Sequence, residues 1–163
     1  MSVAINFLFE RLVTLLAAMF LTLALVVMGV QIVFRYGFND SLFWAEEVAR
    51  YALVWSSMTG AAVAYRQGGH VAVTAIVNRL PTSVRRLIFQ GVHLLIFAFS
   101  VILVWQGWTL TMRNFDRHQI STALEIEIAW IYLSIPVAGA LIMLAALEAV
   151  YRGTPVSTGA TAI

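Results

Sequence analysis

The sequence predicts an all-α membrane protein: four transmembrane helices, with a short interfacial helix between the second and third. Three observations carry that prediction. Apolar residues make up 61% of the chain and charged ones 11%, against about 45–50% and about 25% in soluble domains. Four uncharged runs stand out: Leu12–Phe34 (23 residues), Tyr51–Tyr65 (15, extended backward by a polar-headed turn), Leu87–Met112 (26) and Ile128–Leu147 (20). A helix rising about 1.5 Å per residue needs roughly 20 apolar residues to cross the hydrocarbon. Finally, the charged residues gather between these runs rather than inside them.

The reading is of one membrane domain over residues 1–152, with spans at about 12–34, 43–66, 87–112 and 128–148, an interfacial segment at 71–80 and a disordered tail at 153–163. The first run exceeds the usual 7–15 apolar residues of a secretion signal. Arg35 and Tyr36 follow it instead of a small-residue cleavage site, so it is read as retained. Arginine placement orients the chain. With the N-terminus inside, Arg11, Arg66, Arg79, Arg85, Arg86 and Arg152 are cytoplasmic, while Arg35, Arg50, Arg113 and Arg117 lie on the opposite side. Both ends are therefore expected in the cytoplasm.

Composition also excludes function classes. All ten basic residues are Arg, and a net charge of +2 without clustering makes nucleic acid no partner. The chain has no cysteine, which removes disulfides, thiol chemistry and Cys-ligated metals. Ser56 and Ser57 carry no nucleophile motif, so no enzyme is expected. His70, His93 and His118 are too scattered to suggest a metal site, and haem would want paired histidines on facing helices. No cofactor is expected, although His93, the histidine inside a span, keeps a haem-bearing redox anchor open as an alternative.

In chain order, Arg35 to Trp44 joins the first two spans, with Gly37, Asn39 and Asp40 as turn residues and Asp40 or Ser41 as the expected N-cap. The second helix opens on Trp44-Ala-Glu-Glu-Val-Ala-Arg50, charge at the membrane boundary. After Arg66, Gln67-Gly68-Gly69-His70 breaks the chain, and Val71–Leu80 is apolar but too short to span. Pro81 ends that stretch, and Thr82 or Ser83 is the expected cap of the third helix. The loop Arg113–Glu127 mixes charges, and Pro136 is expected to kink the fourth helix.

The second helix holds the candidate functional residues. Glu46 precedes Arg50 by four and Glu47 precedes it by three, both favourable for helical ion pairs near an N-terminus. At about 100° per residue, Glu46, Arg50, Leu53, Ser57, Gly60 and Ala64 share one line. Ala52, Ser56, Gly60 and Ala64 repeat every four residues, a small-residue seam of the kind that admits another helix closely. Charge inside a membrane usually faces protein or water. Three readings stay open: a boundary marker, a docking network with Arg35 or a partner, or ion transport, for which no acid lies mid-span. His70 is either a helix-end or lipid-phosphate contact or a solvated loop residue. Trp44, Trp55, Trp105, Trp108 and Trp130 read as interfacial anchors or packing residues. Arg66, Arg79, Arg85 and Arg86 are positioned to hold anionic phospholipid headgroups, to set topology, or both.

The order Arg35, Trp44-Ala-Glu46-Glu47-Val-Ala-Arg50-Tyr51, Trp55, Gly60 and Gly69-His70-Val71, closing with Pro81 and a third span, resembles the small membrane subunit of tripartite ATP-independent periplasmic (TRAP) transporters. The likeness runs over roughly residues 8 to 150. Ser121-Thr-Ala-Leu124-Glu-Ile126, then Trp130, Tyr132 and Ile135-Pro136, is similar to the family's approach to its last helix, but Glu127 stands near where the family leads to a proline. The resemblance implies a bacterial inner-membrane location and a non-catalytic scaffold. Its implied partners are a large multi-span permease carrying the substrate and sodium sites, and a periplasmic binding protein that delivers an organic acid. A self-sufficient homo-oligomeric transporter or channel is the rival, and it would want an ionisable residue at mid-depth.

Overall fold

A computed structural model describes residues 8–67 and 81–152. The expected interfacial segment 71–80, the tail 153–163, His70 and Arg79 lie outside the described residues, as do the side chains of Arg85 and Arg86. The described residues are helical apart from loops and one isolated bridge between Ile120 and Glu127. A π-helical turn, Leu8–Val13, leads into α1 (Thr14–Gly37). Then come α2 (Phe43–Arg66), α3 (Thr82–Asp116), the single turn α4 (Ala129–Tyr132) and α5 (Ser134–Arg152). Among the described residues three helical stretches are long and apolar enough to cross a membrane: Arg11–Gly37, Leu87–Asp116 and Ala129–Val150. α2 has 24 residues, as α1 does, but carries Glu46, Glu47, Arg50 and Arg66.

Two expected caps are not used. The residue before α2 is Leu42, without a side-chain cap, so neither Asp40 nor Ser41 fills that role. The chain instead turns tightly off α1: the Phe38 and Asp40 amides both donate to the Phe34 carbonyl at 3.0 and 3.3 Å, and Asn39 adopts φ 54°. Asn tolerates that left-handed conformation better than most residues. α3 starts at Thr82 itself with Pro81 as its N-cap, in place of Thr82 or Ser83. Pro136 is expected to kink the last helix, and an interruption falls close to it. The helix is interrupted at Leu133, just inside the first turn ahead of the proline, because Pro136 has no N–H for the Tyr132 carbonyl.

The helices pack in a row, α1 on α2, α2 on α5 and α5 on α3. Small residues make the contacts, as expected where van der Waals packing replaces the hydrophobic effect. α2 buries Ala45, Ala49, Ala52, Thr59 and Ala62, at steps of four, three, seven and three residues that keep one seam facing its neighbours. Ala49 and Ala52 meet Ala24 of α1 between Phe20 and Val27, and Phe20 stacks on Trp55 at 5.8 Å. Nearer the other end, Ala62 meets Val13 and Ala145 of α5, with Leu141 and Ile142 alongside. α3 buries Phe89, His93, Ser100, Thr111 and Asn114 along a similar line.

α3 and α5 cross closely at two glycines. A Cβ on Gly107 would lie 2.9 Å from Ile135 Cγ2 and from the Pro136 ring and nitrogen, and one on Gly139 would lie 3.1 Å from Leu103 and Val104. Pro136 can sit there because Gly107 has no side chain. Gly107→Leu should therefore destabilise the fold by about 1–3 kcal/mol through overpacking against backbone that cannot yield. The readout is a lower thermal midpoint of the detergent-solubilised protein. Gly29→Leu, where an added Cβ meets nothing within 4 Å, should leave that midpoint unchanged.

Candidate functional site

The first two turns of α2 place three charges on different sides of the helix. Glu46 and Arg50, one turn apart, form an ion pair at 2.9 Å on the outward side, and both side chains stay mostly exposed. Glu47 is rotated about 100° from Glu46 and points away from that pair. Its carboxylate reaches the loop before α4 and accepts four hydrogen bonds. Oε1 receives the Thr122 amide at 3.2 Å and the Thr122 hydroxyl at 3.1 Å. Oε2 receives the Ala123 and Leu124 amides at 3.1 and 3.0 Å. Consecutive backbone N–H groups in a turn form an anion-binding concavity, and here a side chain from 75 residues earlier fills it.

The loop itself is shaped to present those amides. Ser121 N–H donates to the Ile126 carbonyl and Ile128 N–H to the Gln119 carbonyl, both at 2.9 Å, framing the Ile120–Glu127 bridge. His118 and Glu125 adopt φ 45° and 54°, reversing the chain on either side. His118 Nδ1 lies 3.2 Å from a Glu127 carboxylate oxygen. Because the flanking residues make the cross-bonds, Glu127 occupies the pair whose own N–H faces away from the opposite strand. Position 127 therefore places no demand on a backbone donor.

The other end of α2 is also tied. The Tyr65 hydroxyl and His93 Nδ1 are 2.8 Å apart, linking α2 to α3. Arg66 pairs with Glu148 of α5 at 3.4 Å, with both side chains largely shielded. His93, the residue that left a haem anchor open, thus has one ring nitrogen engaged by a neighbouring helix. Among the described residues no group of three or more His, Cys, Asp or Glu side chains could hold a metal ion.

The remaining candidates divide. Ser56 donates to the Ala17 carbonyl of α1 at 2.9 Å, and Ala52 is buried against the same helix. Ala64 is exposed, Gly60 half-buried and Trp44 substantially exposed. Arg35 sits in the last turn of α1, exposed, and makes no ion pair among the described residues. The Thr122–Leu124 amides are the functional groups that sequence reading did not single out. They are backbone groups in a loop, and Ser121-Thr-Ala carried only a positional likeness. Glu47→Gln would set an amide NH₂ against two N–H donors, so hydrogen exchange at Thr122, Ala123 and Leu124 should accelerate. Glu46→Gln should leave it as in the unmodified protein, and equal protection in both variants would count against the clamp.

With this geometry in hand, comparison with known proteins is direct. Residues 24–155 match the family model described as tripartite ATP-independent periplasmic transporters, DctQ component. The chain is 27% identical over 128 residues to the sialic acid TRAP transporter small permease protein SiaQ of Vibrio cholerae, covering 78% of this chain and 73% of that one. It is 29% identical over 114 residues to the C4-dicarboxylate TRAP transporter small permease protein DctQ of Rhodobacter capsulatus, covering 68% and 49%. It is also 29% identical over 133 residues to the sialic acid TRAP transporter permease protein SiaT of Haemophilus influenzae, covering 78% of this chain but 21% of that longer one. The chain thus spans about half the length of the dicarboxylate relative and about a fifth of SiaT. With the family model matching well over half of its residues, the chain belongs to the DctQ component family of tripartite ATP-independent periplasmic transporters, as a small membrane subunit and not an enzyme.

Proposed function

We propose that this protein is the immobile scaffold of a sodium-driven TRAP transporter in a bacterial inner membrane. It holds a large permease subunit in position while that subunit takes up an organic acid delivered by a periplasmic binding protein. The observation that carries the reading is the fastening of α2 at both ends: Glu47 to the 122–124 turn, and Tyr65 and Arg66 to α3 and α5. Polar groups that are expensive near hydrocarbon are here spent on joining helices. Association with a large permease is supported by SiaT, in which the matched region is 21% of one longer permease polypeptide. An organic acid is supported by relatives named for sialic acid and C4-dicarboxylates.

In this reading α2 crosses the membrane as a fourth span. At about 36 Å for 24 residues it is long enough, with Ala45 and Ala49 of its first turns buried and Glu46 and Arg50 exposed at its boundary end. Both chain ends then lie in the cytoplasm, where Arg79, Arg85 and Arg86 are available to lipid headgroups, and the α1–α2 corner and the 117–128 loop face the periplasm. Arg66, shielded and paired with Glu148, is turned to α5 instead of joining that set.

Reconstitution tests the proposal. Liposomes holding the cognate large permease, supplied with its binding protein and an inward sodium gradient, should accumulate sialic acid or a C4-dicarboxylate when this chain is present and lose uptake when it is omitted. Uptake by the large permease alone at the same rate, or solute flux driven by this chain alone, would overturn the role.

A further inference from the structure

Contacts between neighbouring helices set the height of each against the next. Ala24 of α1 lies beside Ala49 and Ala52 of α2, Ala62 of α2 beside Ala145 of α5, and Gly139 of α5 against Leu103 and Val104 of α3. The Tyr65–His93 contact agrees with that register. At the cytoplasmic end of the proposed topology, the arginine positions are Arg11, Arg66, Arg152 and Arg86, in the row order α1, α2, α5, α3. With the helices upright they do not share a level. Each stands farther inward than the one before, by about 5 Å per helix and roughly 15 Å across the row at about 1.5 Å per residue. Exposed aromatic residues at the outer end step the same way. Tyr36, Trp44, Trp130 and Trp108, 80%, 45%, 56% and 53% exposed, descend from α1 to α3 by roughly 20 Å.

Charged and amphipathic side chains of a membrane protein collect at two flat boundaries with water. Two lines that run the same way, both oblique to the helix axes, mark a slab that the helices cross at an angle. Axes about 8–10 Å apart make a row of four about 27 Å across, so steps of this size correspond to about 30°. We infer that the row sits in the bilayer leaning about 30° within its own plane, the outer ends of its helices displaced toward the α1 edge. Hydrocarbon then covers a band that lies higher on α1 than on α3. The inference rests on α2 being a fourth span and adds the angle at which the scaffold meets lipid. Helix length supports it independently. The uncharged run of α1, Leu12–Phe34, has 23 residues, about 34 Å upright but about 30 Å when projected at this angle, which is the thickness of the hydrocarbon. In an upright row, Ile32, Val33 and Phe34 of α1 or Leu87 of α3, all exposed, would stand in water. A lean of about 30° removes that conflict and is within the range of membrane helices. Glu46, Glu47 and Arg50 lie within two turns of Trp44, so they stay near the outer line.

Depth distinguishes a leaning row from an upright one. The chain has no cysteine, so a single introduced thiol can carry a nitroxide label. Leu25 of α1 and Leu110 of α3 stand level when the helices are upright, as do Leu15 and Val101, and all four side chains are exposed. The full chain is reconstituted in phosphatidylethanolamine–phosphatidylglycerol liposomes as labelled Leu25→Cys, Leu110→Cys, Leu15→Cys and Val101→Cys. Relative accessibility to oxygen and to a nickel chelate reports each depth. The labels at positions 25 and 101 should read near the bilayer centre, and those at 110 and 15 about 10 Å or more shallower. One depth for 25 and 110 with another shared by 15 and 101, or 110 deeper than 25, would overturn the lean. Topology is read separately in spheroplasts, where an impermeant maleimide should label Asp40→Cys and spare Gln67→Cys. Labelling of both would sink the fourth span, whereas correct sidedness with level depths would sink the lean alone.

Discussion

A carboxylate placed inside a turn of backbone amides organises this molecule. Through Glu47 three consecutive N–H groups of the loop between α3 and α4 meet a fixed acceptor on another helix. With it, the hairpin of α1 and α2 is attached to the connection that leads into α4 and α5. The ties at Tyr65 and Arg66 fasten the far end of the same helix. α2 is consequently the member that both hairpins share, and the small side chains along its seam let α1 and α5 approach it from two sides.

This division of labour explains why α2 is the least apolar helix and yet lies inside the row. Helices in lipid gain little from burying more hydrocarbon, so close contact and hydrogen bonding decide who neighbours whom. Ala49, Ala52 and Ala62 supply the contact, Ser56 adds a bond to the α1 backbone, and the charged termini add register. α1 and α3, at the two ends of the row, show lipid-compatible leucine, valine and phenylalanine instead. Membership of the DctQ component family fits a molecule whose polar residues join parts together.

Much of this was legible in the sequence. The apolar runs located α1, α3 and α5, and the charged opening of α2 marked the helix where polar contacts concentrate. Periodicity also selected Ala52 and Ser56 as packing residues, but it cannot tell a helix of the same chain from a foreign one, and α1 uses both. Glu47 was visible as a charge near Arg50, whereas its destination was not, because its partners are mostly main-chain amides 75 or more residues away and any residue carries those. The caps were misplaced for a related reason. Asp40, Ser41, Thr82 and Ser83 have the right chemistry, but the tight exit from α1 and the fixed φ of Pro81 set the starts of α2 and α3 first.

Pro136 and Gly107 carry a mechanical consequence. A proline normally makes a helix bendable, since one rung of its ladder is missing. Here the ring lies in the notch left by a residue with no side chain, so the neighbouring helix packs directly against the interrupted turn. The missing rung of one helix is thus backed by the main chain of the other, and a side chain at position 107 would separate them where the ladder is weakest.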